Sequence, residues 1–518
     1  MARQFLCTSD APIVQTKAGK LRGFVLDGTN IFYGIKYADA KRFHMPTPVE
    51  PWDGVRDATS YGYIAPLMDP ASPMGDITIP HRFWPENEHC QYLNIWSRDL
   101  NPEVKKPVMF WIHGGGFSAG SSLEMVAYDG DRLATWGDVV VVSINHRLNM
   151  LGYFDLSDFG EEYHNSANAG QADIVAALEW VHENIAAFGG DPENVTIFGQ
   201  SGGGMKVTSL LQTPCADGLF HRAIVMSGVA SGFGFGKQRQ DKAIIEAMLA
   251  QLGTDDVHTL ETISVAKLFE AYHAVEKKLR KQGIMASWGP KANDWYVGDP
   301  LDVGFTAHAK TVPTMVGTVL GEFAFGPGTP HKDALSPAER RALVAEKFGE
   351  DHADELISLF APAYPGKNAV DVRSVDTLFR PSSLAYLDLR CQATESPVYS
   401  YMFALNFTYD DGKPAWHCSD IPFAFHNTEI VPVANIEGVS DRLEAEYAGA
   451  YVAFARTGNP NHEGMAQWPA YTADTQTTMV FDRETVARPH LDAELVAKVK
   501  EYTPPFNFAA FFPDDDEE

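Results

Sequence analysis

The segment Val195-Thr-Ile-Phe-Gly-Gln-Ser-Gly-Gly-Gly-Met-Lys206 constrains this chain more than any other. An apolar run enters a turn in which Gly199 and Gly203 lie two positions to either side of Ser201, and an apolar helical stretch, Val207 to Leu211, follows. A strand that turns straight into a helix packs its backbone against the helix's first turn, where side chains of any bulk collide. The serine between the glycines sits on a strained turn at a helix N-terminus, where the dipole favours developing negative charge. A Gly-rich turn of purely structural use would read the same over so short a stretch, so its surroundings decide.

Those surroundings are strands. Val108 to Ile112, Val139 to Ile144, Val195 to Phe198 and Ala223 to Met226 are near-continuous apolar runs bounded by turn residues, as in a mainly parallel sheet buried on both faces. Thr314 to Val319 and Val398 to Ala404 extend the series. Between the second and third runs, Ile174, Ala177, Leu178, Val181 and Ile185 recur at three- and four-residue steps, which predicts an amphipathic helix over Ala172 to Phe188 and a βαβ unit. Alternation around Gly19 and Gly28 reads as antiparallel hairpins, and Asp492 to Tyr502 as a closing helix. The chain is thus expected to be α/β, one domain over residues 1–518, with helical insertions at about 235–310 and 335–395 over the active edge of the sheet.

Charge narrows the function. With 68 acidic and 41 basic residues the formal net charge is −27, which repels phosphate backbones and anionic headgroups. Neither a nucleic-acid nor a membrane partner is expected, and no stretch approaches the ~20 apolar residues of a membrane span. The tail Asp514 to Glu518 reads as a solvated end. Cys7, Cys90, Cys215, Cys391 and Cys418 are scattered, without CxxC or metal-ligand spacing. No metal or other cofactor is expected. The cysteine usage and the lack of a signal-peptide pattern at the start point to a cytoplasmic location.

Upstream of the serine, Val108-Met-Phe-Trp-Ile-His-Gly-Gly-Gly-Phe117 is a strand running into three glycines. Acyl transfer develops an oxyanion that needs pre-aimed N–H donors, each worth about 3 kcal/mol of barrier. Glycines can turn their N–H groups inward. Gly115 and Gly116 are the candidate donors, with Gly202 as the third, and His113 reads as a structural neighbour.

At this point the sequence resembles the type-B carboxylesterase family, which includes the cholinesterases. The resemblance rests on Arg42-Phe43, Cys90-Gln-Tyr-Leu-Asn-Ile-Trp96, the His-Gly-Gly-Gly-Phe loop, Asn145-His-Arg-Leu148, and Phe188-Gly-Gly-Asp-Pro-Glu-Asn-Val-Thr-Ile-Phe-Gly-Gln-Ser201. It implies an α/β-hydrolase fold and a serine, glutamate, histidine triad acting on small-molecule carboxylic esters. The family's acid falls in Gly317-Thr-Val-Leu-Gly-Glu322, and its histidine in Trp416-His417-Cys-Ser-Asp-Ile-Pro-Phe-Ala-Phe425. His426 is a rival only nine positions on, but it lies outside the matched place. Chemistry agrees with the match: an imidazole can take the serine proton and return it to the leaving alcohol, and a carboxylate behind it fixes the tautomer.

The resemblance further implies that Ser227 supports the triad, and that Arg42 with Glu88 and Arg147 with Asp173 are structural ion pairs. Cys90 matches a cysteine that is disulfide-bonded in secreted relatives, but the partner region, Tyr63 to Met68, has none, so a free thiol is expected. The family usually has glutamate or a similar residue before the nucleophile and an alanine-containing turn after it, where this chain has Gln200 and Gly202. A triad-less binding or adhesion member of the same fold is the alternative of another class. Among enzymes, lipase and amidase specificities share the chemistry. Trp288, Trp295, Phe323 and Phe325 are candidate pocket or lid aromatics.

Overall fold

The computed structural model describes residues 4–68, 79–229 and 239–504. Its centre is a 12-stranded sheet. In chain order the strands are β1 (Phe5–Leu6), β2 (Phe24–Leu26), β3 (Thr29–Lys36), β4 (Tyr92–Ser97), β5 (Lys106–Ile112), β6 (Val140–Ile144), β7 (Gly190–Gln200), β8 (Arg222–Met226), β9 (Thr314–Val319), β10 (Val398–Phe403), β11 (Thr478–Phe481) and β12 (Val486–Arg488). Across the sheet they lie in the order β1-β2-β3-β4-β6-β5-β7-β8-β9-β10-β11-β12. From β6 to β11 every pairing is parallel, while the pairs at both edges are antiparallel.

The apolar runs are continuous because both faces of the sheet are covered. Along β5, Met109 and Trp111 enter a core shared with Phe198, Tyr401 and helix α8, while Val108, Phe110 and Ile112 enter one shared with Ile197, Val181 and Phe188. Successive side chains point to opposite faces, so both sets must be apolar. The longer helices, of nine residues or more, are α1 (Ala169–Asn184), α2 (Gly202–Leu210), α3 (Asp241–Leu252), α4 (Val265–Arg280), α5 (Pro337–Phe348), α6 (Ala353–Ala363), α7 (Phe379–Ala393), α8 (Ser440–Thr457) and α9 (Ala493–Glu501). Ser336 and Glu339 form a capping box at the start of α5, with Pro337 in its first turn.

In the stretch 235–310, α3 and α4 pack on each other and on Met150, Leu151 and Phe154. In 335–395, α5 and α6 join α9 against Leu320, Met402 and Val480 of the sheet region, and α7 lies along β9 and β10. Two details go beyond the sequence reading. The strands joined through α1 are not neighbours, since β5 lies between β6 and β7. Helix α2 begins at Gly202, ahead of the apolar stretch from Val207, because close packing around the turn overrides the poor helix propensity of three glycines.

The expected ion pairs form. Arg147 donates to Asp173 at 2.7 and 2.8 Å in the core, and Arg42 to Glu88 at 2.6 and 2.7 Å. All five cysteines are free, Cys90 being buried. No helix among the described residues is long and apolar enough to cross a membrane. The acidic tail lies outside the described residues.

Candidate active site

Strand β7 ends at Gln200, and α2 starts one residue beyond Ser201. Ser201 makes the reversal with φ 56° and ψ −124°, a conformation that side-chain-bearing residues rarely adopt. The flanking glycines are required sterically. A methyl group at Gly203 would strike the Ile112 carbonyl, and one at Gly199 would strike the Gly203 backbone. The Ser201 N–H donates to the Met226 carbonyl at the end of β8 (2.9 Å). Gly202, as first residue of α2, supplies the available N–H at that helix end.

Glu322 and His417 come from the segments after β9 and β10, which are held together by Gly321 N–H to the Ala415 carbonyl and His417 N–H to the Glu322 carbonyl (both 2.8 Å). The Glu322 carboxylate is fully buried. One oxygen accepts from the Ser227 hydroxyl (2.6 Å) and the Val319 N–H (2.9 Å), and the other meets His417 Nδ1 at 2.6 Å. With Nδ1 bound to the carboxylate, Nε2 is the ring nitrogen left over. Among the described residues the Ser201 hydroxyl makes no hydrogen bond, so a serine–histidine link is not formed here.

Two phenyl rings, themselves 5.7 Å apart, pack against the His417 ring. Phe379 at the start of α7 stacks on it at 5.3 Å with an interplanar angle of 3°, and Phe323 at 5.0 Å and 24°. The Gln200 amide nitrogen lies 3.3 Å from both ring nitrogens. An atom equidistant from both, if placed in the ring plane, would collide with the carbon between them, so the amide packs over the ring face and leaves the lone-pair direction of Nε2 clear. The Gln200 carbonyl oxygen meets the Cys418 thiol at 3.1 Å.

The loop from His113 to Phe117 follows β5. Gly115 and Gly116 both have positive φ, 82° and 61°, as the turn demands. Among the described residues no carbonyl accepts from the N–H of Gly115, Gly116 or Gly202. A methyl group at Gly202 would overlap the Gly116 backbone, which places the loop directly on the serine turn.

Two carboxyls that the sequence reading did not single out crowd the same acid. Asp376, which receives the N–H groups of Leu378 and Arg380 (3.0 and 2.6 Å), is pushed up to about 7 by burial and then by the charge of Glu322. Burial likewise pushes Asp420, bonded by the Tyr447 hydroxyl at 2.9 Å, up to about 7. Asp420 falls inside the quoted His417 motif; Asp376 carries no local signal. The rival His426 pairs with Glu444 at 3.3 Å and stacks on Trp136 instead. Phe323 and Trp288 pack with Phe117, Met205 and Phe379 in one apolar cluster, Phe325 touches Phe323, and Trp295 packs against the core under the sheet.

A mostly parallel sheet with a serine on a forced turn after a central strand, and a buried carboxylate–imidazole pair on the following loops, defines the α/β-hydrolase class. The carboxylesterase family profile matches residues 10–498. Para-nitrobenzyl esterase of Bacillus subtilis (strain 168) is 34% identical over 487 residues, covering 91% of this chain and 95% of that protein. Phenmedipham hydrolase of Pseudarthrobacter oxydans is 33% identical over 500 residues, with 91% and 95% covered. Among solved structures, an esterase from anaerobic Clostridium hathewayi, described as able to hydrolyse aliphatic aromatic polyesters, is 51% identical with a TM-score of 0.93 and covers 97% of this chain and 100% of its own. The chain belongs to the carboxylesterase family and, like these esterase relatives, is a carboxylic ester hydrolase.

Proposed function

We propose that this chain hydrolyses carboxylic esters through an acyl-enzyme on Ser201, with His417 as general base, Glu322 orienting it, and the N–H groups of Gly115, Gly116 and Gly202 receiving the oxyanion. The observation that carries the reading is the 2.6 Å contact between buried Glu322 and His417 Nδ1, which leaves Nε2 as the only ring nitrogen for the serine proton. Ser201 Oγ attacks the ester carbonyl while its proton passes to Nε2. Collapse of the tetrahedral intermediate expels the alcohol, which takes that proton. Water then attacks the acyl-enzyme by the same route and releases the acid and the free serine. Each donor aimed at the oxyanion is worth about 3 kcal/mol of barrier.

The apolar wall of Phe117, Met205, Phe323 and Phe379 beside the site suits an apolar acyl or alcohol group. Para-nitrophenyl butyrate is therefore a first substrate, and a terephthalate diester is a second, given the action described for the Clostridium hathewayi enzyme. The purified chain is expected to turn over para-nitrophenyl butyrate. Ser201→Ala should lower kcat by about 10⁶-fold and Glu322→Gln by about 10⁴-fold with little change in KM. A Ser201→Ala protein that keeps the wild-type rate would sink the acyl-enzyme reading.

A further inference from the structure

Against the glycine loop lies a lysine that the proposed triad does not use. Lys206 stands on the second turn of α2 and is fully buried. Its ammonium donates to the carbonyl of His113, the first residue of the loop, at 3.2 Å. It also lies 5.8 Å from the centroid of the Phe117 ring, the last residue of the loop. The helix that begins at the nucleophile thus reaches back and grips the loop at both ends. The Lys206 carbonyl is itself held by the Gln171 side chain of α1 (3.2 Å), which keeps that turn of α2 in place.

The surroundings of the ammonium are unusual for a lysine. Facing it are the rings of His113, after β5, and His146, after β6, which are in contact with each other at 4.8 Å. Burial holds both well below the ordinary imidazole range, so neither adds a charge. The remaining titratable group is Glu124, on the loop that follows the glycines; burial pushes it up to about 7, against the pull of the Ser121 backbone and of Lys206. Burial likewise draws Lys206 down to about 7, with Glu124 opposing. No salt bridge joins the two among the described residues. A buried ammonium with one backbone acceptor and no contacting carboxylate is costly to keep. A methionine would fill the same space without that cost.

We infer that Lys206 is a positioning residue for the oxyanion: its ammonium pins the His113–Phe117 loop so that the Gly115 and Gly116 N–H groups face the reacting carbonyl, and its charge backs the negative oxygen through that loop. The inference rests on the acyl-enzyme reading above. A role confined to packing predicts the opposite pattern of effects from a role in the transition state. The unfolded chain keeps its lysine protonated to about pH 10.4. The unfolded state therefore binds the extra proton between about 7 and that value, and burying Lys206 works against folding at neutral pH. Removing the group should spare stability and damage only the reaction.

The test compares wild type with Lys206→Met on para-nitrophenyl butyrate, on a trifluoromethyl ketone that forms a tetrahedral oxyanion adduct, and in a thermal melt. The expected result for Lys206→Met is a kcat at least about tenfold lower with KM within about twofold, a ketone affinity lowered by the same factor as kcat, and a melting midpoint that does not fall. Lys206→Gln, which keeps a donor but not the charge, should lie between the two. A kcat and ketone affinity within about twofold of wild type overturns the inference. So does a lowered melting midpoint with kcat intact. Should both variants fail to fold, the wild-type profile decides. The kcat should decline on the alkaline side as the ammonium is lost, and a kcat flat from about pH 7 to 10 overturns it. Ser201→Ala run alongside separates the two claims: if it stays active the acyl-enzyme reading fails, whereas if it is inactive beside an unimpaired Lys206→Met, only the role of Lys206 is lost.

Discussion

Glu322 shares its buried surroundings with Asp376 and Asp420. Glu322 faces an imidazole, a hydroxyl and an amide N–H. Asp420 has the Tyr447 hydroxyl at one oxygen and no partner among the described residues at the other. Burial, together with the charge of Glu322, holds the protons on the other two carboxyls up to about 7. An unfolded aspartate ionises near pH 3.9. Between about pH 4 and 7 the folded chain therefore binds more protons than the unfolded chain at these two positions, and their contribution to stability is lost as pH rises through that window. Asp420→Asn should remove that share. Its melting midpoint is expected to match wild type near about pH 4 and to exceed it at about pH 8; an equal offset at both pH values would mean that Asp420 is not held neutral.

At the scale of elements, the site is a contact between a loop and a helix start. The Gly116 backbone lies where a side chain at Gly202 would project. Gly202→Ala is expected to push the loop off the serine turn and lower kcat by up to about 10²-fold, the cost of one misplaced donor. Fluorescence and circular dichroism should stay native, and an unchanged kcat would show that the loop has room to give. Much of this arrangement was legible in the sequence. The apolar runs, the glycines around Ser201 and the glycine triplet each require a particular backbone, so they mark strand, turn and loop directly. The helix start beside Ser201 was legible from the turn, although packing, not propensity, begins that helix. Strand order was not legible, because the apolar character of β5, β6 and β7 is the same whichever lies in the middle. Phe379, Asp376 and Lys206 reach the site by tertiary packing from segments whose local patterns resemble any buried helix. Glu322 and His417 were found by resemblance to a family motif, since spacing alone does not bring residues 95 positions apart together.

For the molecule as a whole, the sheet supplies a rigid edge and buried arginines tie distant segments to it. Arg147 binds Asp173 of α1 and the carbonyls of Lys41 and His44, and Arg42 binds Glu88 and the carbonyls of Leu260 and Ile263. These links join the N-terminal region to α1 and to the stretch between α3 and α4. One reagent reads the outcome of all of it. A fluorophosphonate phosphonylates a serine only where a base has activated the hydroxyl and amides await the oxygen. Intact-mass and peptide analysis of the labelled chain should find one adduct, on Ser201, and labelling should disappear in His417→Ala. An adduct on another residue, or undiminished labelling of the His417→Ala protein, would contradict the account.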